Sequence, residues 1–148
     1  MAKTFQTEVG ILKSVLLKHA REAFRSQEYI NANWRELNYV SPPDFARAVK
    51  EYDSFIQILD DRGVELQFLP YAEETGLDSI YVRDASIVTD AGAIICNMGK
   101  TQRDTEPRHE MTHYLAEGIS ILGSSLGNST IEGGDVAWLN EKTLAVAE

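Results

Sequence analysis

Asp78-Ser79-Ile80-Tyr81-Val82-Arg83-Asp84 is the stretch on which the reading of this chain turns. Ile80 and Val82 alternate with Ser79, Tyr81 and Arg83, which is the period of a half-buried β-strand. Charges close both ends, and Ala85-Ser86-Ile87-Val88 runs on without a break. A strand that carries two carboxylates and a guanidinium at its ends points to a ligand. A cationic, hydrogen-bond-rich small molecule fits best, and a planar guanidinium above all, because carboxylates grip its N–H groups two at a time.

Upstream, Val15-Leu16-Leu17 within Ile11 to Lys18 predicts a strand buried on both faces. Residues 20–40 are polar and aromatic and read as a long connection bordering a site. Ser41-Pro42-Pro43-Asp44 predicts a helix start, with Ser41 as N-cap. Phe45, Val49, Tyr52, Ile56 and Leu59 then form one apolar stripe, ended by Gly63. Val64, Leu66 and Phe68 alternate in a second strand.

Downstream, Asp90-Ala91-Gly92 is a turn, so residues 79–96 read as a hairpin. Thr105 caps a second helix with the stripe Met111, Tyr114, Leu115, Ile119 and Leu122, terminated by Gly123 and Gly127. Val136–Leu139 and Leu144–Val146 form a last hairpin around Asn140-Glu141-Lys142. The fold class is therefore α/β, with residues 1–148 as a single domain of strand-helix-strand units. The chain stops on a sheet strand whose edge would need covering, which suggests a truncated chain or a covering partner.

Bulk properties narrow the partners. The chain has 148 residues, a net charge of −9, 43% apolar and 25% charged residues. An acidic surface excludes nucleic acid and anionic membrane. The Met1-Ala2-Lys3-Thr4-Phe5-Gln6 start has no apolar signal region, no apolar run is of membrane-spanning length, and Cys96 is the single cysteine. A cytoplasmic protein without a disulfide framework is expected, so Asn128-Ser129-Thr130 is not read as a glycosylation site. Cys96, in Ala93-Ile94-Ile95-Cys96, reads as an inert core thiol. Trp34 and Trp138 read as packing residues.

Two constellations carry chemistry. The first is acidic: Asp78, Asp84 and Asp135, with Arg83 and Arg108 as countercharges. In Glu132-Gly133-Gly134-Asp135 two glycines flank an acid, which permits positive φ or a close approach to the backbone. An ordinary turn explains that segment about as well. Arg108 sits in the first turn of a helix, where a cation opposes the macrodipole. The second constellation is His109-Glu110-Met111-Thr112-His113, a literal H-E-x-x-H, with Glu132 as a third zinc ligand. The pattern is short, His109 and His113 are expected on a solvated face opposite the apolar stripe, and Glu132 precedes two glycines. Two exposed histidines explain it better than zinc does.

Asp78-x-x-x-x-Arg83-Asp84, Pro107-Arg108-His109-Glu110 and Glu132-Gly133-Gly134-Asp135 follow one another as in the guanidine-modifying enzymes. The chain resembles that group of arginine deiminases, dimethylarginine dimethylaminohydrolases and amidinotransferases. Gly10-Ile11-Leu12-Lys13-Ser14-Val15-Leu16-Leu17-Lys18-His19 is similar to their first strand. The resemblance implies a pentein fold, an α/β propeller of five units around a central site, of which this chain would be the N-terminal half.

It also implies that Asp84 and Asp135 bind a guanidino substrate, while Asp78 and Arg108 hold its amino-acid end. Arg83 departs from the dimethylarginine hydrolases, which carry an acid there, toward the deiminases and amidinotransferases. The family's histidine and cysteine thiolate fall outside this chain, and no cofactor is needed. The substrate, hydrolysis against transfer, and homo-oligomerisation stay open. A zinc peptidase and a non-catalytic binder of arginine-like ligands are the rival readings.

Overall fold

The computed structural model describes residues 10–125, 129–140 and 142–147. Met1 to Gln6, Gly127, Asn128, Glu141 and Glu148 of the sequence reading lie outside the described residues. The chain divides into two compact units, Leu12–Val82 and Arg83–Glu148, the latter grouped with Met1–Ile11.

In the first unit β1 (Ser14–Leu17) pairs in parallel with β2 (Glu65–Phe68), with Ser14 opposite Glu65 and Leu17 opposite Phe68. Parallel neighbours need a long crossover. Here it contains α1 (Ala20–Phe24), α2 (Gln27–Asn33) and α3 (Phe45–Asp60). The expected stripe on α3 is its inward face: Phe45, Val49, Tyr52, Ile56 and Leu59 are all half-buried, while the positions between them are mostly exposed. Gly63 follows the helix at φ 69°, a conformation that glycine adopts without strain.

Three expectations fail in this unit. Residues 20–40 are largely helical. The N-cap of α1 is His19, whose Nδ1 accepts from the Arg21 N–H, and the N-cap of α2 is Ser26, whose side chain accepts from the Tyr29 N–H. Packing also holds these short helices, since Ala20, Ala23, Phe24, Ile30, Leu37 and Leu77 make one buried cluster. The N-cap of α3 is Asp44, accepting from Arg47 N at 2.7 Å, rather than Ser41. Residues 78–84 are not a strand. They form two 3₁₀ turns, Leu77–Ile80 and Val82–Asp84, with Asp78 and Ser79 both buried where a strand would have sent them to opposite faces.

In the second unit the hairpin is β3 (Ser86–Thr89) with β4 (Gly92–Ile95), shorter than the expected 79–96. The helix α4 (Glu106–Ala116) crosses over to β5 (Ile121–Ser124), which pairs in parallel with β4. The expected apolar stripe is corrected here. The helix stops before Ile119, Gly123 lies inside β5, and Leu115 and Leu122 are exposed. The buried face of α4 is Glu106, Pro107, Glu110 and Tyr114. β6 (Val136–Asn140) and β7 (Thr143–Val146) form the expected last hairpin. Ile87, Cys96 and Val136 are its core contact, with Trp138 packed against them as Trp34 is packed in the first unit.

Glu110 is 2% exposed. It faces the Ser86 and Tyr114 hydroxyls, which lie 2.8 Å apart, and the Tyr114 hydroxyl is 3.4 Å from Glu110 Oε2. Burial, only partly offset by the Ser86 hydrogen bond, pushes its pKa up to about 8. The folded protein therefore favours the protonated acid.

Two outcomes follow from this packing. Ile30→Ala, at a fully buried position, is expected to cost about 2–5 kcal/mol in urea unfolding. Phe55→Ala, on the 43% exposed side of α3, is expected to cost under about 1 kcal/mol. For Glu110 the raised folded pKa means that its stabilising contribution is present below the ordinary carboxylate range and is lost as pH rises toward 8, at up to about 1.4 kcal/mol per pH unit. Glu110→Gln, which mimics the neutral acid, should gain on the native protein steadily between pH 5 and pH 8. A constant difference would contradict the buried-acid assignment.

Candidate functional site

The site is built where the turn Gly133–Asp135 meets the segment Arg83–Ser86. A Cβ on Gly133 would lie 1.8 Å from the Arg83 carbonyl oxygen and 2.9 Å from that of Ser86. No side chain fits there, so glycine is required by contact. A Cβ on Gly134 would be 3.2 Å from Asp84 Oδ1. The turn bearing Asp135 therefore abuts Asp84.

The turn is closed by its own acids. The Glu132 side chain accepts from the Asp135 N–H, and Asp135 Oδ2 accepts from the Glu132 N–H at 3.0 Å. Glu132 Oε1 also accepts from the Gly99 N–H at 3.0 Å. Arg83, exposed, donates from NH2 to the Val136 carbonyl at 3.2 Å and fastens the turn from its far end.

Arg103, absent from the sequence reading, holds the centre. Its buried guanidinium donates through Nε and NH2 to Glu106, at 3.1 and 2.7 Å, and through NH1 to Asp84 Oδ2 at 2.8 Å. Glu132 Oε2 is 3.7 Å from NH1. Burial opposes the charge on Arg103, but the hydrogen bonds and the field of Glu106 and Asp84 outweigh it and raise its pKa. Three carboxylates, Asp84, Glu106 and Glu132, thus surround one guanidinium, and Asp135 caps the turn that carries Glu132. One oxygen of Asp84 is committed to Arg103, which fixes the orientation of that carboxylate. Asp135 is exposed and Asp84 partly so.

Cys96 lies beside this cluster and is 4% exposed. Burial first, then the charges of Glu110, Glu132, Asp84 and Asp135, push its thiol up to about 12. It is a protonated thiol at neutral pH, consistent with the inert role read from its strand. Arg108 stands exposed in the first turn of α4.

Asp78 belongs to the other unit. It is 3% exposed and lies beside the Tyr39 hydroxyl. Burial, then Asp78 and Tyr81, hold that hydroxyl above the ordinary phenol range.

The zinc reading finds no donor set. His109 and His113 are both half-buried rather than on a solvated face, Glu110 points into the Ser86–Tyr114 network, and Glu132 is engaged by Gly99 and its own turn. Among the described residues no group of three or more His, Cys, Asp or Glu side chains is arranged to hold a metal ion. Sequence signals for what was missed do exist. Arg103 and Glu106 stand at the i,i+3 spacing of a helical ion pair, and Glu110 shares a face with Tyr114 four residues on.

Comparison with known proteins places the chain. The family described as N,N dimethylarginine dimethylhydrolase, eukaryotic, matches residues 22–147. The N(G),N(G)-dimethylarginine dimethylaminohydrolase of Pseudomonas aeruginosa is 27% identical over 106 residues, covering 70% of this chain and 41% of that protein. A crystal structure of a dimethylarginine dimethylaminohydrolase adduct superimposes with a TM-score of 0.67 at 21% identity, over 87% of this chain and 46% of the other. The N-terminal domain of ArgZ, an arginine dihydrolase from cyanobacteria, gives a TM-score of 0.67 at 12% identity, over 84% and 44%. The chain spans about two-fifths of the length of the curated relative it matches. The chain belongs to the N,N-dimethylarginine dimethylhydrolase family of guanidine-modifying enzymes, and its α/β structure is part of their pentein fold.

Proposed function

We infer that the whole protein hydrolyses the guanidino group of arginine or an N-methylated arginine, and that residues 1–148 supply the substrate-gripping part of its site. In this reading both compact units belong to one propeller domain, of which the chain is the N-terminal part. The nucleophilic cysteine and the acid–base histidine come from outside the chain. Family membership and the citrulline and S-methyl-L-thiocitrulline complexes of the structural neighbours support a ligand of this class. A reduced thiolate as nucleophile suits a cytoplasmic setting, and no helix among the described residues is long and apolar enough to cross a membrane.

The observation that carries the reading is the contact of the glycine turn with Asp84. Gly134, the residue before the second acid Asp135, lies against a carboxylate already aimed by Arg103. Two such acids can accept N–H bonds from the planar substrate and keep its positive charge. The central carbon then stays electrophilic and held in register for sulfur. The thiolate adds to that carbon. The leaving amine takes a proton from the histidine. Water then cleaves the carbon–sulfur bond, giving a citrulline-type product and the free thiol. Asp78 and Arg108 take the amino-acid end of the substrate.

Asp135→Ala in the whole protein should lower kcat/KM for dimethylarginine by about 100-fold or more. It should cost no more stability than one lost turn cap, about 1 kcal/mol. Asp84→Asn should lose activity as well and also destabilise, by about 1–3 kcal/mol, because Arg103 loses a charged acceptor. Citrulline formation and thermal melts check both. Near-normal turnover in Asp135→Ala would refute the assignment.

A further inference from the structure

We propose that Arg25 is a positioning residue that presets Asp78 for the substrate by clamping the connection between β2 and the first 3₁₀ turn. The proposal rests on the reading that Asp78 contacts the substrate. Residues 69–76 contain no helix or strand, so their carbonyls are satisfied one by one, that of Ala72 by the Thr75 N–H at 3.2 Å and the Thr75 hydroxyl at 3.1 Å. Arg25 adds a charged donor to the same segment. Its NH2 group donates to the carbonyls of Ala72 at 3.1 Å and Glu73 at 3.0 Å, and most closely to that of Thr75.

Two aromatic rings hold the guanidinium in place. Its central carbon lies 4.2 Å from the Tyr29 ring centroid and 4.9 Å from that of Tyr71. Tyr71 sits within the clamped connection itself. A second cation reaches the same point, since Lys18, fully buried at the end of β1, donates from Nζ to Thr75 Oγ1 at 2.9 Å.

The clamp is continuous with Asp78. Thr75 is three residues upstream. The next carbonyl, that of Gly76, accepts from the Ser79 N–H at 3.2 Å and the Ser79 hydroxyl at 2.6 Å. Leu77 is completely buried, and the Asp78 carbonyl accepts from the Tyr81 N–H at 2.9 Å. Only Gly76, whose carbonyl is held by Ser79, and the buried Leu77 lie between the anchored carbonyls and the acid.

The backbone of Arg25 is itself unusual. It has φ 60° and ψ −61°, and the Ser26 N–H reaches back to the Phe24 carbonyl at 2.6 Å. This is a γ-turn of the rare, strained kind, at a residue with a side chain. Strain of that sort persists where the surroundings over-determine it, and a functional constraint is one reason for it. Loop anchoring for stability alone is the simpler account, and it makes a different prediction. A residue that acts only on stability affects binding independently of Asp78. A residue that acts through Asp78 has nothing left to affect once that carboxylate is gone.

The test is a double-mutant cycle in the whole protein, with Arg25→Met, Asp78→Asn and the pair, read as KM and kcat for dimethylarginine. Arg25→Met should raise KM about tenfold with kcat within about threefold. In the Asp78→Asn background it should change KM less than about twofold. Amide hydrogen exchange should show residues 76–81 opening faster in Arg25→Met. Should that variant not fold, Arg25→Lys keeps the charge, loses the planar fork and stacking, and runs in the same cycle. An unchanged KM in the Arg25 variant, or effects that multiply in the pair, would overturn the clamp alone. An unchanged KM in Asp78→Asn would overturn the assignment of Asp78 and the clamp with it.

Discussion

The second unit depends on one contact, the backbone of Gly133 against the backbone of Arg83–Ser86. With no Cβ between them, a turn carrying Glu132 and Asp135 closes onto a segment carrying Asp84. Negative charges brought together in this way repel, and such an assembly of acids would not persist unaided. Arg103 resolves the conflict by donating hydrogen bonds to Glu106 and Asp84 from a buried position. Because its countercharge is internal, the cluster can exist before any ligand arrives. Preorganised charge of this kind costs little reorganisation when the ligand binds.

The two units solve similar problems with different means. In the second, a fixed cation organises acids. In the first, two cations organise carbonyls and a hydroxyl, and the acid they lead to sits buried beside a tyrosine hydroxyl. Each acid of interest is reached through an irregular segment, a single 3₁₀ turn or a loop, rather than through a strand. Such segments have no regular ladder, so their polar backbone groups must be satisfied individually. That requirement is why so many charged side chains of this chain point at main-chain atoms.

Much of this was legible beforehand. The α3 stripe, Gly63, the strands at Ser14–Leu17 and Glu65–Phe68 and the last hairpin all follow local patterns that tertiary packing reinforces. The Glu132-Gly133-Gly134-Asp135 segment showed its importance because paired glycines beside acids have few uses. The 78–84 stretch misled because Ile80 and Val82 alternate as in a strand. Leu77 and Ile80, three apart, are the pair that suits a 3₁₀ turn, and a run this short cannot separate the two periods. The helices at 20–33 escaped notice because they are short, 5 and 7 residues, and depend on side-chain caps and a distant core partner, Leu77. The second helix misled because its inward face is acidic. Glu106 and Glu110 are buried because Arg103, Ser86 and Tyr114 await them; Arg103 and Tyr114 stand within one helical turn, but no local pattern announces Ser86.

The central claim is that Asp84 and Asp135 receive the guanidino group together. A crystal structure of the whole protein with a bound arginine-like ligand tests it most directly. The account predicts guanidino or ureido nitrogens within hydrogen-bonding distance of both carboxylates, with Arg103 still holding Asp84. A ligand seated away from both acids, or touching Asp84 while Asp135 faces solvent, would contradict it.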